Sequence, residues 1–307
     1  MAKILIATEK PFAAIAVKGI RDVIEKAEFE PVLLEKYTEK AQLLEAVKDA
    51  EALIVRSDIV DAEVLKAAKQ LKIVVRAGAG YDNVDLDTAT AQHVCVMNTP
   101  GQNSNAVAEL AFGLLVYAVR NFYNGTSGTE LKGKKLGILA YGNVGRNVAR
   151  IAKGFGMEVY AYDAYCPSTI IESEGVKPVE STEELFKISQ VVSLHIPATP
   201  ETKGSIGFKL IQSMPKGAIL LNTARKEVID EEGLQKAFAE RPDFKYLSDV
   251  KPSIDEELKA NYGERYFSTP KKIGAQTAEA NINAGIAAAE QIVDFLKNGN
   301  QKYRVNK

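Results

Sequence analysis

KLGILAYGNVGRNVARIAKGFGMEVYAYD, residues 135–163, reads in one pass as strand, glycine turn, helix, strand and acidic residue. The apolar run 136–139 suits a buried parallel strand, and Ala140-x-Gly142-x-x-Gly145 then occupies the place of the G-x-G-x-x-G fingerprint of dinucleotide-binding units. Gly142 lets backbone approach a pyrophosphate, and Gly145 lets helix pack on strand. A helix over 144–153 would aim its first unpaired N–H groups and positive dipole end at the phosphates, and Gly154 and Gly156 would stop it. The strand 157–162 ends in Asp163, about twenty residues beyond the turn, where a carboxylate accepts hydrogen bonds from the adenosine ribose and repels a 2′-phosphate. The expected cofactor is therefore NAD, bound over Ala140, Tyr141, Gly142, Asn143, Val144, Gly145 and Asp163. Ala140 replaces the first glycine of the pattern, so an ordinary βαβ unit with a tight turn is the alternative that the surrounding context disfavours.

Outward from this stretch the chain keeps alternating. Upstream, strands are expected at 3–7, 31–34, 52–55, 72–75 and 94–98, with helices at 13–27, 41–49 and 62–69. A helix over 103–120 follows Thr99-Pro100-Gly101, crossing from one domain to the next. Downstream come a helix opened by the Ser181-x-x-Glu184 capping box, strands at 191–195, 218–222 and 244–247, and helices at 209–213 and 231–239. An irregular stretch to Thr269 and an alanine-rich helix over 278–297 complete the chain. This alternation means α/β architecture with parallel sheets. A dinucleotide unit that begins past residue 130 implies two such domains, with substrate-domain elements first.

A chain of 307 residues has material for two buried cores. Its net charge of −1, with both signs interspersed, gives no footprint for nucleic acid or an anionic membrane. Two cysteines, Cys95 and Cys166, and two histidines, His93 and His195, speak against a disulfide framework or a structural zinc site, so no metal is expected and a reducing cytoplasmic compartment fits. The most apolar segment, 110–119, is interrupted by Gly113 and too short to span a bilayer.

Ligands of open α/β sheets bind beyond the carboxyl ends of the strands, which draws attention to three arginines. Arg56 follows ALIV, Arg76 follows LKIVV, and Arg225 comes three residues after AILLN. The planar guanidinium fork matches carboxylate or phosphate, so the three would select a small substrate with more than one anionic group; salt bridges are the other use of such residues. Gly78-Ala79-Gly80, with Asn83, forms either an anion nest or a plain turn. His195, at a strand end before Ile196-Pro197, either lies near a cofactor or holds a loop, and His93 reads as surface.

At these residues the chain resembles the D-isomer-specific 2-hydroxyacid dehydrogenases, and within them the short-form D-3-phosphoglycerate enzymes. The resemblance runs nearly end to end through LIVRS at 53–57, RAGAGYDNVDL at 76–86, NSNAVAEL at 103–110, the fingerprint, VSLHIPATPETKG at 192–204, LLNTARKEVIDEEGL at 220–234 and TPKKIGAQTAEAN at 269–281. It implies two doubly wound parallel-sheet domains: a Rossmann cofactor domain at 101–283 inserted into a flavodoxin-like substrate domain made of 1–100 and 284–307. It implies NAD-dependent oxidation of D-3-phosphoglycerate, the entry to serine biosynthesis, by a homodimer built on the cofactor domains. A hydroxypyruvate or glyoxylate reductase is the alternative within the class, and a non-catalytic NAD-sensing scaffold the alternative outside it. Arg225 would bind and polarise the substrate, with Arg56, Ser57, Arg76, Gly78, Ala79 and Asn103 holding the remainder. His195, Pro197, Thr202, Thr223, Ala224, Gly274 and Ala275 would touch the cofactor, and Asp249 its carboxamide. Feedback by serine through an appended regulatory domain is not expected.

Two positions depart from the family. Where it has a proton-carrying histidine, the segment TPKKIGAQT places Lys272, beside Lys271, and where it has the paired glutamate stands Ile254, next to Asp255 and Glu256. The two changes are chemically linked. A carboxylate partner raises the pKa of a cation, which suits a histidine near 6.5 but drives a lysine near 10.4 further from neutrality. Lys272 is thus expected as general acid/base, the alternatives being a purely phosphate-binding cation, a dead site, or catalysis through His195. The Lys226-Glu227 pair replaces the family's usual Gly-Gly, for which we have no physical account.

Overall fold

The computed structural model describes residues 1–306. The chain forms two compact units, one made of Met1–Asn103 and the segment from Gln276 onward, the other of Ser104–Ala275. Unit 1 alternates β1 (Lys3–Thr8), α1 (Ala14–Lys26), β2 (Glu30–Glu35), α2 (Lys40–Ala46), β3 (Ala52–Val55), α3 (Ala62–Ala67), β4 (Ile73–Arg76), α4 (Leu86–Ala91) and β5 (Cys95–Asn98). Its sheet is wholly parallel in the order β2-β1-β3-β4-β5, the flavodoxin-like arrangement. Residues 52–55 are buried throughout, as a central strand covered on both faces requires.

Unit 2 opens with α5 (Ser104–Val119), then β6 (Lys135–Leu139), α6 (Asn143–Gly154), β7 (Glu158–Tyr162), α7 (Ser168–Ser173), β8 (Lys177–Pro178) and α8 (Thr182–Ile188). It continues through β9 (Val191–Leu194), α9 (Phe208–Ser213), β10 (Ile219–Asn222), α10 (Glu231–Glu240), β11 (Lys245–Ser248), α11 (Asp255–Tyr262) and β12 (Tyr266–Ser268). The parallel order β8-β7-β6-β9-β10-β11-β12 is that of a Rossmann sheet with one further strand. Its switch point lies between β6 and β9, so the glycine turn and residue 195 stand at the two strand ends flanking the crevice.

The last helix, α12 (Ala278–Asn298), returns to unit 1. Thr277 Oγ1 accepts from Ala280 N (3.1 Å) at its start, and Gly299 (φ 71°) ends it. A Cβ on Gly19 would lie 2.8 Å from Ile286, and one on Gly285 equally close to Ile20, so α1 and α12 interlock through missing side chains. Beyond α12, Val305 N donates to Val96 O (2.8 Å) and Asn306 Oδ1 accepts from Val96 N (2.8 Å), covering the free edge of β5.

The fold departs from the sequence expectations in identifiable places. The boundary expected at 283/284 would cut the continuous α12; the units separate at 275/276 and at 103/104 rather than 100/101. The stretch expected to be irregular holds α11 and β12. Helix α6 runs through Gly154, and it is Gly156 (φ 70°) that ends it, with Met157 N bonded back to Ala152 O (3.1 Å). Among the described residues no helix is long and apolar enough to cross a membrane.

Candidate active site

In unit 2 the turn after β6 shows why each small residue stands where it does. A Cβ on Gly145 would lie 2.5 Å from Ala140 O and 3.1 Å from Ile138 Cγ2, so close packing of α6 on β6 demands glycine. A Cβ on Gly142 would meet nothing within 4 Å, and its backbone is extended (φ −83°), so its own chain places no demand on it. Room left open at that position, beside the exposed Asn143 and half-buried Val144 that begin α6, is what an approaching pyrophosphate needs. Ala140 adopts φ 75°, the left-handed conformation that the fingerprint fills with glycine. Asp163 caps β7 and its carboxylate already accepts from Tyr141 N (2.7 Å), Tyr165 N (2.7 Å) and Cys166 N (2.9 Å). One lone-pair position remains for a ribose hydroxyl.

At the carboxyl end of β10, the buried Asn222 side chain organises the loop that follows. Its Nδ2 donates to Arg225 O (2.9 Å) and its Oδ1 accepts from Ala224 N (2.9 Å). Arg225 Nη1 donates to Ala224 O (3.0 Å), and Lys272 Nζ reaches the same oxygen (3.3 Å). Thr223 Oγ1 is buried with no hydrogen-bond partner, an orphaned polar atom at a strand end where a ligand group would satisfy it. This atom and the open Gly142 both fit a bound dinucleotide.

Lys272 is held in place by Asp249, which is buried at the end of β11. The Asp249 carboxylate accepts from Thr269 Oγ1 (2.8 Å), Ile273 N (2.9 Å) and Gly274 N (2.8 Å). Residue 274 must be glycine because a Cβ there would lie 2.9 Å from Asp249 Oδ2. Asp249 therefore braces the loop 269–274, and only part of its acceptor capacity remains for a carboxamide; Ala275 ends this unit, half-buried. Ile254, which stands where the family has its glutamate, packs against the apolar cluster of α10 and β11. Asp255 accepts from Tyr266 (2.6 Å), Ser268 (2.5 Å), Lys259 (2.7 Å) and Lys251 (3.2 Å). Burial opposes its charge, yet these four donors hold it well below the ordinary carboxylate range. Glu256 is exposed, its nearest partner Lys259 at 3.7 Å.

His195 N continues the sheet by bonding to Leu139 O (2.9 Å), and its Nε2 pairs with Ser193 Oγ (2.9 Å). Desolvation pushes the imidazole down to about 3, so it is neutral at physiological pH. Thr202 Oγ1 accepts from Thr199 N (2.8 Å) and donates to Pro197 O (2.5 Å), closing the loop that follows.

In unit 1 the arginine at the end of β3 is spent within its own unit. Arg56 donates to Lys10 O (3.2 Å), Pro11 O (3.3 Å) and Asn281 Oδ1 (2.6 Å), and lies over the Phe12 ring. Its fork holds the 10–12 loop to the start of α12, a bracing role that residue type alone did not reveal. Arg76 Nε donates to Arg56 O (2.8 Å), and its guanidinium lies where a Cβ on Gly78 (φ 148°) would sit. Asn83 Nδ2 donates to Asp58 O (2.7 Å) and so supports the loop from behind, rather than offering its amide to an anion. Ser57 and Ala79 are exposed, and Asn103 is half-buried just before α5. His93, expected at the surface, is exposed in the turn before β5. Sequence reasoning missed Asn222, although it opens the NTAR motif, and Asn281, for which no local pattern gave a signal.

Residues 116–268 match the family model described as D-isomer specific 2-hydroxyacid dehydrogenase, NAD binding domain. The chain is 39% identical over 275 residues to the D-3-phosphoglycerate dehydrogenase of Methanocaldococcus jannaschii, covering 84% of this chain and 52% of that protein. It thus spans about half the length of the curated D-3-phosphoglycerate dehydrogenases it matches. It is 37% identical over 282 residues to the hydroxypyruvate reductase of Thermotoga maritima, covering 85% of this chain and 90% of that one. Among solved structures, the NAD+-bound 3-phosphoglycerate dehydrogenase of Entamoeba histolytica superposes with a TM-score of 0.87 at 49% identity, covering 100% of this chain and 99% of that one.

Proposed function

The chain belongs to the D-isomer-specific 2-hydroxyacid dehydrogenase family, and from that premise we propose that it oxidises D-3-phosphoglycerate to 3-phosphohydroxypyruvate with NAD. NAD, when bound, supplies a hydride acceptor at C4 of its nicotinamide. Arg225 binds the substrate carboxylate through its fork and polarises the C2 oxygen, fixing the C2 hydrogen for transfer. Lys272 Nζ, in its neutral form, takes the hydroxyl proton at that oxygen and returns it in the reverse direction. The observation that carries this reading is the convergence of Arg225 and Lys272 on the Ala224 carbonyl. It provides an orienting cation and a proton carrier side by side, without the histidine and glutamate of the family. By the same reading the working unit is a homodimer, which sedimentation of the 33.4 kDa chain checks.

A second reading, reduction of hydroxypyruvate, is favoured by the relative from Thermotoga maritima, of which the chain covers 90%. Rates of NADH formation from D-3-phosphoglycerate and D-glycerate, and of NADH consumption with hydroxypyruvate, separate the two. Preference for the phosphorylated acid by a large factor in kcat/KM supports the first, and preference for the unphosphorylated pair replaces it with the second. Inactivity toward all of them, with NAD still bound, would leave an NAD-sensing scaffold.

A further inference from the structure

The glycine turn of unit 2 carries a side chain that its expected chemistry does not use. Residues of such a turn serve a dinucleotide through their backbone, yet the side chain of Tyr141 is buried, with only 2% of the residue exposed. Its hydroxyl donates to Glu174 Oε2 (2.9 Å). The Arg146 guanidinium lies 5.1 Å over the tyrosine ring and is ion-paired with the same carboxylate. Glu174 caps α7, and its carbonyl accepts from Lys153 Nζ of α6. The turn, α6 and the end of α7 are therefore joined at one residue. On the backbone side, Tyr141 N donates to Asp163 Oδ2 (2.7 Å).

What this anchor opposes is visible one residue earlier. Ala140 sits at φ 75°, a conformation that a residue with a Cβ adopts only when its surroundings hold it there. Gly145 packs directly on the Ala140 carbonyl, so the turn cannot relax without lifting α6 from β6.

We infer that Tyr141 and Glu174 are positioning residues for the dinucleotide: the phenol–carboxylate bond holds residues 140–142 in the left-handed turn and thereby aims the N–H groups at the start of α6. The inference rests on reading unit 2 as an NAD site. With the lock removed, binding must also order the turn, so the loss falls on affinity. Desolvation raises the pKa of the phenol while Arg146 opposes the rise, and the hydroxyl remains a donor at neutral pH.

Calorimetric titration of NAD into the full-chain protein tests this, with the melting temperature of each apo variant measured alongside. Tyr141→Phe keeps the ring beneath Arg146 and removes only the hydroxyl. It is expected to weaken NAD binding about tenfold or more, as loss of a hydrogen bond to a charged group does. Glu174→Ala is expected to match it and Glu174→Gln, which keeps an acceptor for the phenol, to recover most of the affinity. The double variant Tyr141→Phe with Glu174→Ala should bind no more weakly than the worse single one. In an Ala140→Gly background, where the turn no longer needs holding, the Tyr141→Phe effect should shrink to less than about twofold. Unchanged NAD affinity in Tyr141→Phe, with or without a lower melting temperature, would overturn the inference. So would additive losses in the double variant, or an undiminished loss in the Ala140→Gly background. Failure of the unmodified protein to bind NAD would instead overturn the cofactor reading, and this inference with it.

Discussion

Lys272 and Arg225 meet on one atom. Lys272 Nζ, from the loop after β12, and Arg225 Nη1, from the loop after β10, both donate to the carbonyl oxygen of Ala224. Two cations are held within a few ångströms of each other by a neutral acceptor, beyond the carboxyl edge of a parallel sheet, where substrates of such folds bind. That carbonyl is fixed in turn by Asn222, whose amide bonds to both neighbouring peptide groups.

Asn222→Ala should therefore disturb the pair without touching either member. It leaves Ala224 N and Arg225 O without their buried partner, which costs about 1–3 kcal/mol. The expected outcome is a melting temperature lower by a few degrees together with a raised KM for the acid substrate, checked by thermal unfolding and steady-state kinetics. A variant of unaltered KM would mean that Arg225 and Lys272 do not depend on this loop.

Three substitutions in the turn 140–145 separate packing from ligand binding. Gly145→Ala drives a Cβ into the Ala140 carbonyl and is expected to destabilise unit 2 by about 3 kcal/mol, at the upper end of overpacking penalties. Gly142→Ala meets nothing of its own chain, so the fold should survive while NAD binding weakens at least about tenfold, measured by titration calorimetry. Ala140→Gly relieves a left-handed alanine but adds freedom to the unfolded chain, and the two effects should leave stability within about 1 kcal/mol of the original.

The pH dependence of stability follows from His195. Its imidazole is held neutral down to about 3 in the folded chain, against an ordinary value of 6.5. Between these values the unfolded chain binds a proton that the folded chain refuses, so acid favours unfolding. Stability should rise with pH across that window by up to about 1.4 kcal/mol per unit, and this contribution should be flat above it. Denaturant titrations from pH 4 to 8 on the original chain and on His195→Gln check the point; an equal slope in both would assign the effect elsewhere. The same neutrality disfavours His195 as the proton carrier.

Much of the fold was legible because parallel strands buried on both faces leave continuous apolar runs, such as ALIV at 52–55 and ILLN at 219–222. The elements that escaped have little apolar surface to announce them. Helix α4 buries only Ala89, α11 buries Asp255 and Leu258, and β12 has three residues. At the site, residue type and strand-end position pointed to Arg225, the glycine pattern to the turn after β6, and only the family resemblance to Lys272. What the arginines bond to was not legible. Arg56 is spent on carbonyls from 10–11 and on Asn281, residues far away in sequence that only the folded sheet brings to it. Asp249 likewise reads as a ligand for a cofactor, and it braces a loop twenty residues on.

On the proposed reading Lys272 moves a proton in an NAD-dependent oxidation. NADH formation at 340 nm from D-3-phosphoglycerate, compared between the original chain and Lys272→Arg, tests it most directly. Arginine keeps the positive charge but does not give up its proton at any accessible pH. Turnover is expected to fall by at least about a hundredfold in the variant, the range for loss of a general base, while NAD still binds. An arginine variant that turns over at the original rate would reduce Lys272 to an anion-binding cation that moves no proton.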